Sequence, residues 1–436
     1  MGKIIIITLN AIWFSLSIQG QNLPYISVDE AIGIALKNNS NIKISDLDRK
    51  VANANYRQTD GVFLPQISLG YTALSTNNPL NAFGFLLQQE SVTATDFDPA
   101  KLNNPGAIQN YSTQIEAKLP LLNMDLIYAR KGAKAQEEVY KYKAERTKEY
   151  IEFETRKAYT QLQMSYQARN ILQRSLEDVK AIYQSVTNFY NQGLVQKSDV
   201  LNAQVQVNTI ETALAKAESS ILNASDGLRL LMGLGTNDDV YITDSLSLEV
   251  SLYQDRELAS FRSDIMALSK AVDVAGMILK SSKMAFLPHI NAFGSYSLND
   301  SKTFRFRNNS YLIGINLSWT VFSGNQNRSK MKSTQFQRDK IQEELDLYIQ
   351  KEELEINKTK RDLNDSQIEI NKQKASVGQA DEALRILSNR HREGLASTTD
   401  LLMAQAQLSQ QKLLLSQSIM LYNITYSYLN FLSKDK

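Results

Sequence analysis

Few side chains in this 436-residue sequence are of types suited to bond-making chemistry, and their spacing assembles no reaction centre. An imidazole can carry a proton or hold a metal near neutral pH, yet His289 and His391, the two histidines, stand more than a hundred positions apart. The chain contains no cysteine, so zinc and redox-metal spacings are missing. No nucleophile elbow, P-loop or paired-glycine phosphate loop occurs. The "GLG" at 233–235 follows an apolar run and reads as a helix stop. No catalytic, cofactor-binding or metal-binding residue is expected, and the chain is not expected to be an enzyme.

What does recur is a carboxylate in a duplicated context. "NQGLVQKSDVLNAQVQ" (191–206) and "REGLASTTDLLMAQAQ" (392–407) lie 201 positions apart and share seven of sixteen residues. Gly193 and Gly394 each end a long stretch poor in glycine and proline. Each predicts a left-handed helix cap, with Leu194 or Leu395 covering the last turn. Ser198 and Thr399 read as N-caps of the returning helices. Asp199 and Asp400 then fall in the first turn, where the macrodipole favours a carboxylate.

The elements that carry these turns follow from proline placement and hydrophobic period. Prolines occur at 24, 65, 79, 99, 105, 120 and 288 only. Residues 126–192 hold one glycine and no proline, and 326–392 repeat that condition, so each predicts a helix about 100 Å long. Leu172, Leu176, Val179, Tyr183, Val186 and Tyr190 step by four and three, the seam of a coiled coil. Val377, Ala380, Leu384 and Leu387 repeat part of that seam 201 positions on. Period-two alternation marks four strands: "FLPQISLGYTA", "YSTQIEAKLPLL", "FLPHINAFGSYSL" and "YLIGINLSWTVF". Gln114, Glu116 and Lys118 fall on the polar face of the second, and Asn316 and Ser318 on that of the fourth.

Two tandem copies of one plan result. Residues 1–20, "MGKIIIITLNAIWFSLSIQG", have the charge and apolar run of a secretory signal peptide. Residues 21–255 form a first repeat, with a helix (about 28–60), a strand pair (62–122), a long helix (126–192) and a return helix (198–233). Residues 256–436 form a second, with a helix, a strand pair (286–322), a long helix (326–392) and a return helix (398–433). Stacked end to end, the shorter helices would match the long ones in length, giving a rod with a break midway. The long first hairpin connection, roughly 75–110, has no counterpart in the second repeat. Charged runs such as "EEVYKYKAERTKEYIEFETRK" are expected on solvated or interchain helix faces.

Bulk composition narrows the function further. Lys plus Arg is 48 and Asp plus Glu is 46, a net charge of +2 that offers no basic field for nucleic acid. Mean hydropathy is −0.32, and no run of eighteen apolar residues follows the signal, so spanning helices are not expected. Ten-residue alternating strands suit a soluble sandwich or a membrane barrel with a wet interior. The helices have nothing else to cover the strands' apolar faces, which favours the barrel. Four strands cannot close one, and open edges are excluded from lipid, so several chains must contribute. Two chains would give a filled eight-stranded barrel, and three a twelve-stranded one with a lumen.

The signal peptide, the tandem halves, the strand pairs opening into very long helices and the two "GL…DxLxAQ" turns resemble the TolC-type outer-membrane efflux protein family. The likeness spans about 25–433. It implies a mainly α fold with transmembrane β: a homotrimer whose twelve-stranded barrel in outer-membrane lipid continues into a coiled-coil tunnel in the periplasm. It further implies an exit duct of a tripartite efflux or type I secretion system, taking substrate from a periplasmic adaptor (membrane fusion) protein and an inner-membrane transporter. The turns at Gly193 and Gly394 would then be adaptor-docking or gate elements, and Gln114, Glu116, Lys118, Asn316 and Ser318 would face the lumen. Asp400 would form a threefold carboxylate ring. Some members carry a second acidic residue three positions on, where this chain has Met403 (and Asn202 in the first repeat), so a double ring is not expected. The alternative is a periplasmic coiled-coil structural or adaptor protein without a pore. It fits less well, since adaptors carry one helical hairpin and a membrane or lipid anchor.

Overall fold

Proline has no N–H to donate to a ladder, and two strands start directly after one. A computed structural model describes residues 25–235, 240–249, 258–259 and 261–433. The signal peptide expected at 1–20 and the repeat boundary at 255 lie outside the described residues. Among those described, β1 (Gln66–Thr76), β2 (Ile108–Leu122), β3 (His289–Asp300) and β4 (Asn308–Ser318) form one antiparallel sheet in the order β1-β2-β3-β4. β1 follows Pro65, and Pro288 ends the β3–β4 ladder at the His289–Ser318 pair. The alternation of Trp319 and Val321 therefore runs past the paired residues. Pro120 lies inside β2, at a register shift next to Leu122.

The described α-helices are α1 (Val28–Asn38), α2 (Ser40–Gln58), α3 (Pro79–Gln88), α4 (Pro99–Asn103), α5 (Met124–Asn191), α6 (Lys197–Leu231), α7 (Ser263–Met284), α8 (Gln326–Arg392) and α9 (Thr398–Ser433). α5 has 68 residues and α8 has 67, so each is about 100 Å long. No described helix is apolar enough over its length to cross a membrane.

The chain divides into two compact units. Of the described residues, one gathers those from 25 to 39 with those of 151–249 and 362–427, and the other holds 40–150, those of 258–361 and 428–433. In the first unit, α5, α6 and α9 pack Leu176 and Val179 against Ala203, Val207, Ile210 and Leu402. The 4-3 seam read from α5 is thus largely a buried one, up to Val186, whereas Tyr190 is exposed. The matching α8 positions, Val377, Ala380, Leu384 and Leu387, are half-buried within the protomer.

One expected helix is two. The span from 28 to 60 is interrupted at Asn39, whose ψ of 131° leaves the helical region. The Asn39 amide donates to the Leu231 carbonyl at 2.7 Å, tying the break to the end of α6. Gly233 follows with a φ of +66°, and a Cβ there would lie 2.5 Å from the Asn38 carbonyl oxygen. Strain and overlap act together, so Gly233→Ala should cost about 2–4 kcal/mol, read as a lowered denaturation midpoint. A midpoint equal to wild type would show that the α1 and α6 ends part freely.

Candidate functional site

At both turns the helix end is closed by the same pair of backbone bonds. Leu194 N–H donates to the Phe189 carbonyl (2.9 Å) and Gly193 N–H to Tyr190 (2.9 Å). Leu395 N–H donates to Arg390 (2.8 Å) and Gly394 N–H to His391 (3.0 Å). This is the Schellman arrangement, which needs a left-handed residue, and Gly193 and Gly394 supply φ values of +77° and +72°. The leucines that follow do not cover the last turn as expected. Leu194 is 66% exposed and Leu395 67%. Each helix end is satisfied by backbone bonds alone, which leaves both apolar side chains free at the surface.

The N-caps also differ from the expectation of Ser198 and Thr399. Helices α6 and α9 begin two residues earlier than those caps would place them, after Gln196 and Ser397. Asp199 and Asp400 therefore occupy the third helical position, and each carboxylate accepts from the cap residue's backbone N–H (3.0 and 3.2 Å). Ser397 Oγ completes a reciprocal pair, donating to Asp400 at 2.7 Å and accepting from its N–H at 3.1 Å. These bonds hold the Asp400 carboxyl below its usual range. Met403 is exposed one turn beyond Asp400.

His391 was legible in the sequence only as a residue at a helix end. It is buried, its ring 5.9 Å from that of Phe189, and Nε2 lies 3.3 Å from Thr398 Oγ1. It thus joins the ends of α5 and α8 to the start of α9. Burial lowers its pKa. A base depressed on folding gives its full stability above the unfolded value of about 6.5 and loses it as pH falls below that. Asp400 loses its own contribution only at still lower pH. The protection of amides 391–398, taken relative to the intrinsic exchange rate at each pH, should therefore fall between pH 7 and 5 in the wild type and change less in His391→Gln. Equal acid sensitivity in both would contradict this role.

The sheet presents one polar and one apolar face. Register aligns Glu116 with Ser295 and Ser68, and Gln114 with Ser297 and Ser310. Gln114, Glu116, Lys118, Asn316 and Ser318 thus share one face, and Lys118 Nζ sits 3.0 Å from Glu116 on it. The other face carries Ile67, Leu69, Ile313 and Ile315, each at least 70% exposed. His289, on the polar face, pairs with Asp125 at 3.0 Å where β3 meets the helices.

A further cluster had no sequence signal. Arg262, with no exposed side-chain surface, donates to Asp264 (2.7 Å), Glu352 (2.7 Å) and the Leu432 carbonyl (2.9 Å). Arg146 reaches Asp264 (3.0 Å), Glu149 (3.0 Å) and the Phe431 carbonyl (3.3 Å), and its guanidinium lies 3.6 Å from the Phe431 ring centroid. Arg146 and Glu149 belong to the charged run expected on a solvated or interchain face. They are instead about four-fifths covered, against the end of α9.

The profile of the family described as "Outer membrane efflux protein" matches residues 31–234 and 256–423. The chain belongs to the outer membrane efflux protein family. Its members are channels rather than enzymes, and the protein is accordingly an outer-membrane protein with a large helical periplasmic portion. It is 21% identical to the outer membrane protein TolC of Salmonella enteritidis over 98% of this chain and 83% of that one. Its fold is similar to that of the outer membrane protein VceC of Vibrio cholerae (TM-score 0.77, 18% identity, 93% and 96% of the two chains). It is likewise similar to CusC (TM-score 0.79, 16% identity, 94% and 92%).

Proposed function

We propose that this chain is the exit duct of a tripartite efflux or type I secretion system, closed as a homotrimer with four strands from each copy. One observation carries the reading: a four-stranded sheet with two open edges, β1 and β4, and an apolar face left bare to solvent. Such a face is unfavourable in water, and such edges are excluded from lipid, so both demands are met only when copies join β1 to β4 in a closed ring. Three copies give twelve strands and an open lumen, lined by Gln114, Glu116, Lys118, Asn316 and Ser318. The two stretches that match one family profile support a tandem repeat behind this symmetry.

Aromatic placement supports the membrane level. Phe304 stacks on Tyr71 of the apolar face (5.0 Å between centroids), and Phe306 packs edge-on to Phe304. Both phenylalanines hold positive φ (56° and 46°), a costly backbone for an aromatic residue, and both rings stay exposed. Rings at the edge of an apolar band suit the headgroup level of a bilayer.

The bare Leu194 and Leu395 are the groups an adaptor would cover, so the Gly193 and Gly394 turns serve as docking points. Asp199 and Asp400 fix the returning helices there. Opening would loosen one helix pair against its neighbours, a two-state change in packing. The half carrying Asp400 is the candidate, because polar bonds between α9 and α5, Gln405–Asp178 (2.9 Å) and Ser409–Ser175 (2.8 Å), replace part of the apolar seam that continues at Leu402. Energy would come from an inner-membrane transporter. Fractionation tests the assembly: the protein should be recovered from outer membranes as trimers that dissociate on heating. A soluble periplasmic monomer would instead support the coiled-coil adaptor reading.

A further inference from the structure

The two hairpin connections leave the sheet on opposite faces. The β3–β4 connection turns to the apolar side, where Phe304 lies on Tyr71. The β1–β2 connection is longer and folded. Asn78 caps α3 by accepting from Asn81 N–H (3.2 Å), and Asp98 caps α4 by accepting from Ala100 N–H (2.9 Å). A turn at Ala94–Phe97, closed by Asp96 on Thr93 N–H (2.8 Å), joins the two helices. Phe83 meets Phe97 edge-on at 5.6 Å.

The anchor of this insert is a run of amides. Gln89 Nε2 donates to the Gln109 carbonyl (2.7 Å) and to Asn110 Oδ1 (3.0 Å), and Asn110 Nδ2 donates to Asn299 Oδ1 (3.1 Å). The Asn308 side-chain amide donates to the Gln89 carbonyl. Ser112 pairs with Asn299 and Asn299 with Asn308, so these asparagines stand on the same face as Gln114 and Glu116. Gln89, Asn110 and Asn299 are buried, whereas Gln114 nearer the helices is exposed. Burying three amides is tolerable only because they satisfy one another, and that mutual demand fixes where the insert lies. It covers the polar face at the end of the sheet away from the long helices.

Resting on the barrel reading, in which the polar face is the lumen, we infer that residues 79–104 form a constriction inside the outer mouth of the channel. It sets the size of polar solute that passes. Leu80 and Leu87, seven positions apart on one side of α3 and 82% and 55% exposed, line it, while Ala82 on the opposite side is buried. The dimensions agree. A twelve-stranded barrel with ordinary strand spacing and tilt is roughly 25 Å across between backbones. A helix with its side chains is about 10 Å thick, so three inserts leave a narrow path bounded by leucine.

The absence of cysteine makes the test direct. Ser297→Cys places one thiol on the polar face below the amide anchor. Intact cells carrying it are treated from outside with a small charged maleimide or with a bulky polyethylene-glycol maleimide. The small reagent should label and the bulky one should not. Replacing 79–104 by a short Asn-Gly turn should speed bulky labelling by an order of magnitude or more. The double variant Gln89→Ala/Asn110→Ala, which keeps the insert but removes its anchor, should give an intermediate rate and guards against misfolding of the deletion. Equal bulky labelling with and without the insert would overturn the constriction and leave the barrel intact. Failure of both reagents to reach Ser297→Cys in every variant would overturn the barrel reading itself.

Discussion

Arg262→Met should be among the most destabilising single substitutions in the protein, costing on the order of 3–5 kcal/mol, because it strands Glu352, removes the donor to the Leu432 carbonyl and leaves Asp264 with only Arg146 and Tyr348. Burial alone would pull the Arg262 pKa down, but the hydrogen bonds and charges of Asp264 and Glu352 outweigh it and raise the net value. Asp264 shows the reciprocal balance: burial pushes its pKa up, while Arg262, Arg146 and the Tyr348 hydroxyl bring the net value below the usual range. A carboxylate depressed on folding contributes above its unfolded pKa, about 3.9, and loses that contribution as pH falls through its lowered value. The cluster should therefore be insensitive to pH near neutrality and fail only in strong acid. The guanidinium denaturation midpoint of the purified protein reads the effect. Arg262→Met/Glu352→Gln should recover part of the loss, since one stranded charge is removed with its partner. A wild-type midpoint for Arg262→Met would show that the cluster is not what fastens the end of α9.

The largest functional effect is expected at the two turns. Leu194→Asp/Leu395→Asp should reduce export to the level of cells lacking the protein, while the amount of trimer in the outer membrane stays at wild type. Both side chains are two-thirds exposed and the turns are closed by backbone bonds, so folding should change by no more than about 0.5 kcal/mol. A charge on each leucine removes the apolar contact and adds a desolvation cost to any partner that covers it. Truncating both Gly-Leu turns should have the same outcome. Wild-type export from either variant would remove these turns from the docking account.

A feature of this fold is legible in the sequence when local pattern sets it and hidden when distant neighbours do. The four strands were legible because side-chain alternation and flanking prolines are local. Gly193 and Gly394 were legible as caps for the same reason. The break at Asn39 was not, because it is fixed by Leu231 and Gly233 nearly two hundred positions away. Ser198 and Thr399 suit caps by residue type, but it is the reach of Asp199 and Asp400 back to Gln196 and Ser397 that sets where the helices start. Arg146 and Glu149 looked like ordinary members of a charged helix face. Only the end of α9, almost three hundred residues on, makes them a buried site. The amide anchor of the β1–β2 insert was hidden likewise, since asparagine and glutamine in a loop carry no signal until their partners on β3 and β4 are known.

The central claim is that copies of this sheet close into a pore. Single-channel recording of the purified outer-membrane protein in a planar bilayer tests it most directly. The account predicts stepwise conductance from trimers, larger when the insert at 79–104 is removed. A protein that stays monomeric in detergent and gives no conductance steps with or without the insert would contradict it.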